Sequence, residues 1–124
     1  MVNQVTAQKI KKNFDKPYDV AVKYYALLSL LNNLNLTDRE IQLLAHIAIK
    51  GTISTVPSKT EFIKNHKTTL NTVNNLISAL SKRGFLVKTN KMIRLHPKIS
   101  VNFNGVDEVI INIRCILPNE LKQE

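Results

Sequence analysis

The segment 68–84, TTLNTVNNLISALSKRG, carries Asn71, Asn75, Ser78 and Lys82 at helical spacing. At about 100° per residue these four fall on one side of a helix, with Asn74 on the flank. Carboxamides, a hydroxyl and an ammonium, with no carboxylate among them, match the donors and acceptors of a DNA major groove. Asparagine bonds adenine in bidentate fashion, and serine and lysine reach base edges or phosphates. The competing reading is a solvated helix face built from the same residues.

A helix must hold those groups in place, and its other side shows one. Val73, Leu76, Ile77 and Leu80 recur at offsets of zero, three, four and seven, a single apolar stripe. Thr68 or Thr69 can cap the start by accepting a bond from a free amide. Lys82 and Arg83 stand in the last turn, where cations suit the helix dipole. Gly84 supplies a left-handed stop. The stripe is expected to bury Val73, Ile77 and Leu80 against Leu44 and Phe62.

Charge sharpens this picture. The chain has 124 residues, 44% of them hydrophobic, and a net charge of +9. That suits one domain with a modest core and an appendage, folded rather than disordered. Residues 67–98 contribute +7 with no acid, whereas residues 1–36, 37–66 and 99–124 contribute +3, +1 and −2. No acid occurs between Glu61 and Asp107. An acid-free block overlapping the helix is the electrostatic footprint of a surface for a polyanion. A basic surface serving solubility alone would not keep acids out of one contiguous block.

The chain contains no stretch near the roughly 20 apolar residues of a membrane span. Its first residues lack the apolar centre of a signal peptide. The single cysteine, Cys115, excludes an intramolecular disulfide and suits a reducing compartment. A bacterial or host cytoplasm is the expected location.

Residues 1–16 are polar and lysine-rich, and read as a short helix or a mobile arm. Pro17 opens an apolar helix in which Val20, Tyr24, Leu27, Leu28, Leu31 and Leu34 recur at helical spacing, ended by Asn32, Asn33 and Asn35. So much apolar girth points to the core or to half of a dimer contact. Thr37 to Glu40 form a capping box. The helix that follows turns Ile41, Leu44, Ala45, Ile47 and Ala48 inward, carries His46 on its flank as a structural histidine, and stops at Gly51. Residues 52–57 are a short strand or a linker. Ser58 to Glu61 read as a second capping box opening a short helix with Phe62 and Ile63 inward. After Gly84, the runs 85–88 and 92–95 flank the polar turn Thr89-Asn90-Lys91, a hairpin.

This order of elements over residues 36–98 resembles the winged helix-turn-helix domains of bacterial and phage DNA-binding proteins. The specific part is TVNNLISALSKRGFLVK: recognition helix, leucine, basic pair, glycine and first wing strand. RLHPKI is similar to the wing exit of small plasmid and phage replication initiators, with His96-Pro97 where those have Asn-Pro. The resemblance implies a mainly α fold with a small β component. It comprises an arm and apolar helix (1–36), a winged helix-turn-helix (37–98) and a C-terminal extension (99–124).

It also implies binding of double-stranded DNA in transcription regulation or replication initiation of a bacterium, phage or plasmid. Thr69, Asn71, Thr72, Asn74, Asn75 and Ser78 are the base-reading candidates. Lys64, Lys67, Lys82, Arg83, Lys88, Asn90, Lys91 and Arg94 are the candidates for the phosphate backbone. The alternative is a non-catalytic interaction or assembly protein, such as a phage structural or adaptor component, that retains the fold.

In the extension, Ile99, Val101 and Phe103 alternate, as do Val109, Ile111 and Ile113. Asn104-Gly105 between them signals a hairpin, while a helix from Asp107 also fits the spacing. The segment is too apolar to hang free, so it packs on the domain, on a second copy in a homodimer, or on another protein.

Nothing in the chain suggests catalysis. It has three glycines and no phosphate-cradling loop. His46, His66, His96 and Cys115 lack metal-site spacing, and Cys115 has no evident base. Asp107-Glu108 reads as a solvated turn rather than a catalytic pair. Neither enzyme activity, cofactor, metal nor membrane contact is expected.

Overall fold

A computed structural model describes residues 4–116, and the side chains of residues 10–113. The order of elements is β1 (Gln4–Asn13), α1 (Pro17–Leu31), α2 (Asp38–Lys50), α3 (Val56–His66), α4 (Leu70–Lys82), β2 (Leu86–Thr89), β3 (Met92–Leu95) and β4 (Glu108–Ile116). The described chain is therefore mainly helical. Its β component is two separate antiparallel pairs, β1 with β4 and β2 with β3.

Helix α2 forms as its cap dictates. The Thr37 hydroxyl accepts from the Glu40 amide, and the Glu40 carboxylate accepts from the Thr37 amide. Gly51 ends the helix with φ of 88°. Helix α3 is capped differently from the sequence expectation. The cap is Thr55, whose side chain accepts from the Ser58 amide, and Pro57 sits in the first turn. Ser58 is then inside the helix and buried. Its hydroxyl donates to the Thr52 carbonyl (2.7 Å) instead of capping. Lys67 adopts φ of 49° and makes the tight turn into α4. Thr69 caps α4, accepting from the Thr72 amide.

The core gathers from every helix. Val20 and Tyr25 of α1, Leu43, Leu44 and Ile47 of α2, Phe62 of α3, and Val73, Ile77 and Leu80 of α4 are all buried. Leu86 and Leu95 close it from the β2–β3 hairpin, which turns through Asn90 and Lys91 at φ of 51° and 66°. Two successive left-handed residues make the tight turn that matches strand twist. Residues 52–54 form neither a strand nor a free linker. Thr52 Oγ1 and the Ile53 amide donate to the Ile93 carbonyl, and the Ile93 amide donates to Ser54 Oγ, which covers the outer edge of β3.

Three further expectations need correction. Helix α1 stops at Leu31, not Leu34, and buries Val20, Ala21, Tyr25 and Ser29. Leu30 and Leu31 are 71% and 77% exposed, because among the described residues no element lies over that end. Residues 99–103 are not a strand. The Tyr25 hydroxyl donates to the Ile99 carbonyl (2.6 Å), and Phe103 packs edge-on against Tyr24 and Tyr25. These contacts pin the segment on α1, so the Asn104-Gly105 turn leads into β4 without making a hairpin. Residues 4–13 are neither a helix nor a free arm. They pair with β4 from Asn13 opposite Glu108 to Gln4 opposite Ile116, with an irregularity between Gln4 and Thr6. The partner that makes them a strand lies about a hundred residues away in the chain, where no local pattern could reveal it.

Candidate nucleic-acid interface

The apolar stripe turns the other side of α4 outward. Asn71, Thr72, Asn74, Asn75, Ser78 and Lys82 are exposed, as is Thr69 at the cap. Their availability differs. The Thr69 hydroxyl accepts the Thr72 amide and lies 3.0 Å from the Thr72 hydroxyl, so both serve the cap. Lys59 of α3 donates to the Asn74 carboxamide oxygen (3.4 Å). Asn71, Asn75 and Ser78 are the exposed positions best placed to meet an outside partner. Sequence reasoning missed Lys59. Its signal is spatial, a lysine of α3 brought to the polar side of α4.

The backbone candidates Lys64, Lys67, Lys82, Lys88, Asn90, Lys91 and Arg94 are exposed. Arg83 is exposed too, but its guanidinium serves the fold. It donates to the Leu34 carbonyl and lies over the Phe85 ring, 5.1 Å from the centroid. This ties the end of α4 to the chain after α1. Glu61, the acid nearest α4 in sequence, is held by Lys50 on α2 (3.0 Å). Lys91 keeps a charged side chain at a left-handed position that glycine would fill with less strain.

Behind this surface lies a histidine that the sequence placed on a flank. His46 is buried, and its Nε2 sits 3.1 Å from the Ser58 carbonyl and 3.0 Å from Ser58 Oγ. The Ser58 proton is already given to Thr52. His46 Nε2 must therefore carry the proton, leaving Nδ1 bare in the neutral ring. A cleft of about 470 Å³ opens beside it, walled by Tyr18, Glu61 and His66. The Tyr18 hydroxyl hydrogen-bonds His66 Nε2 (3.1 Å), and burial pushes its pKa up to about 12.

Burial lowers the His46 pKa below 6.5, against the opposing pull of the Ser58 carbonyl. Burial also lowers that of His66, and the nearby Arg39 adds to the effect. Both groups take up protons more readily once unfolded. Their contribution is fully present above about pH 6.5 and is lost as pH falls through the folded values. Thermal melts from pH 8 to pH 5 should show the midpoint falling below pH 6.5. His46→Gln, which keeps a donor toward Ser58, should flatten part of that fall. A midpoint independent of pH would show that neither ring is held neutral.

Among the described residues no cluster of three or more His, Cys, Asp or Glu could hold a metal ion. No described helix is long and apolar enough to cross a membrane. In comparisons with known proteins, no family model, no curated protein and no solved structure matches the chain.

Proposed function

We propose that this chain binds double-stranded DNA in the manner of a winged helix-turn-helix. Helix α4 is the recognition helix and the β2–β3 hairpin is the wing. The observation that carries the reading is the exposed amide and hydroxyl face of α4, set in a stretch with no acid from Phe62 to Val106. Asn71, Asn75 and Ser78 meet base edges, while Lys88, Lys91 and Arg94 hold phosphates. The process served is transcription regulation or replication initiation in a bacterium, phage or plasmid, in keeping with the resemblance in residues 36–98.

The test is duplex binding at two salt concentrations. Affinity should fall steeply with salt, since neutralised phosphates release counterions. Lys91→Gly is the informative variant. Glycine suits the turn better than lysine, so the hairpin should hold or gain up to roughly 1 kcal/mol. Binding should nonetheless weaken on all sequences alike, with the salt slope reduced by about one. A parent protein with no salt-sensitive duplex binding sinks the proposal.

The exposed Leu30 and Leu31 favour a second reading, an interaction or assembly protein that uses this fold to dock on another chain. Binding of an acidic protein without binding of duplex would select it.

A further inference from the structure

The β1–β4 ribbon has two different faces. In the register, Lys12 stands opposite Val109, Ile10 opposite Ile111 and Gln8 opposite Ile113, so one face is mostly aliphatic. Lys11 opposite Ile110 and Lys9 opposite Asn112 give the other face a polar, basic character. Val109 packs against the core, but Ile10 and Ile113 are 41% and 39% exposed. β1 is the sole strand paired with β4 among the described residues. A two-stranded ribbon alone is at best marginally stable in water, and an uncovered strand edge invites another strand.

The free edge can be read residue by residue. The Phe14 amide donates to the Asp107 carbonyl (2.6 Å). By the alternation of an antiparallel ladder, positions 109, 111 and 113 then direct their backbone groups at β1. Positions 108, 110, 112 and 114 direct theirs outward.

We propose that β4 pairs antiparallel with β4 of a second copy, with a twofold axis at Ile111, giving a four-stranded sheet in the order β1-β4-β4-β1. This register matches outward positions with outward positions. Ile110 meets the partner's Asn112, and Glu108 meets the partner's Arg114. Val109 meets the partner's Ile113, so both aliphatic faces merge on one side. The strand EVIINIR is self-complementary about its centre, acid at one end and base at the other. Shifting the axis by one residue keeps hydrogen bonding possible but separates Glu108 from the partner's Arg114. Glu108 already receives Lys11 through Oε2 (3.4 Å) and has a second oxygen for the new contact. Pairing through β1 instead would bring its three lysines, Lys9, Lys11 and Lys12, beside those of the partner's β1, a strand that holds no acid. This pairing follows from the ribbon alone and is independent of DNA binding.

The experiment is sedimentation equilibrium and disulfide trapping of the full chain. The parent should be dimeric. On the axis, Ile111 faces its counterpart at about 4.5 Å between Cα atoms, within disulfide reach. Ile111→Cys in a Cys115→Ser background should therefore form a covalent dimer under mild oxidation. Ile113→Cys in the same background should not, because its counterpart lies about 13 Å along the strand. Arg114→Glu should raise the dimer dissociation constant about tenfold or more, by turning two attractive cross-strand pairs into repulsive ones. Adding Glu108→Arg should restore dimerisation, which a merely unfolded variant would not do. A monomeric parent overturns the proposal. So does a dimer that traps both cysteines equally, or one indifferent to Arg114→Glu.

Discussion

Leu80→Ala is expected to cost about 2–5 kcal/mol of folding stability. Leu80 is fully buried, on the stripe with Val73 and Ile77, in the same core as Leu44 and Phe62. The deletion removes three carbons, a methine and its two methyls, from a fully buried site. Domains of this size are stable by only about 5–15 kcal/mol, so the loss would be a large share of the total. Urea unfolding should show a lower midpoint at unchanged slope. Ser81→Ala, one residue away on the exposed side, should change little. A Leu80→Ala variant as stable as the parent would mean that α4 does not face the core as described.

The second large effect is on binding. If α4 enters the major groove as proposed, Asn75→Ala should cost about 1–3 kcal/mol on the selected duplex and little on random DNA. The two variants of α4 thus separate folding from recognition. Asn75 is exposed, and alanine is the better helix former by a few tenths of a kcal/mol. The variant should therefore fold at least as well as the parent. Weaker binding could not then be blamed on unfolding. Equal affinity of variant and parent for the selected duplex would remove Asn75 from the reading face. With Asn71→Ala and Ser78→Ala equally silent, base reading by α4 would be untenable.

Features that depend on neighbours within a turn or two are legible in the sequence. Thr37 and Glu40 cap each other across three residues, so α2 was legible to its first residue. The stripe from Val73 to Leu80 determined which side of α4 is buried, and hence which side carries the amides. Gly51 and Gly84 take the left-handed conformations their positions called for. The rest depends on which distant segments meet in the folded chain. Arg83 looked like a phosphate contact until Leu34 and Phe85 were brought beneath it. Ser58 looked like a cap because its sequence pattern is local, whereas its role under Thr52 and His46 is set by packing. The apolar residues of α1 outnumber the surface that α2 and residues 99–103 can cover, so periodicity could not tell Tyr25 from Leu31. Above all, β1 is a strand because β4 lies beside it. A strand's hydrogen bonds are made to another segment, so the identity of β1 depends on residues about a hundred positions away in the chain.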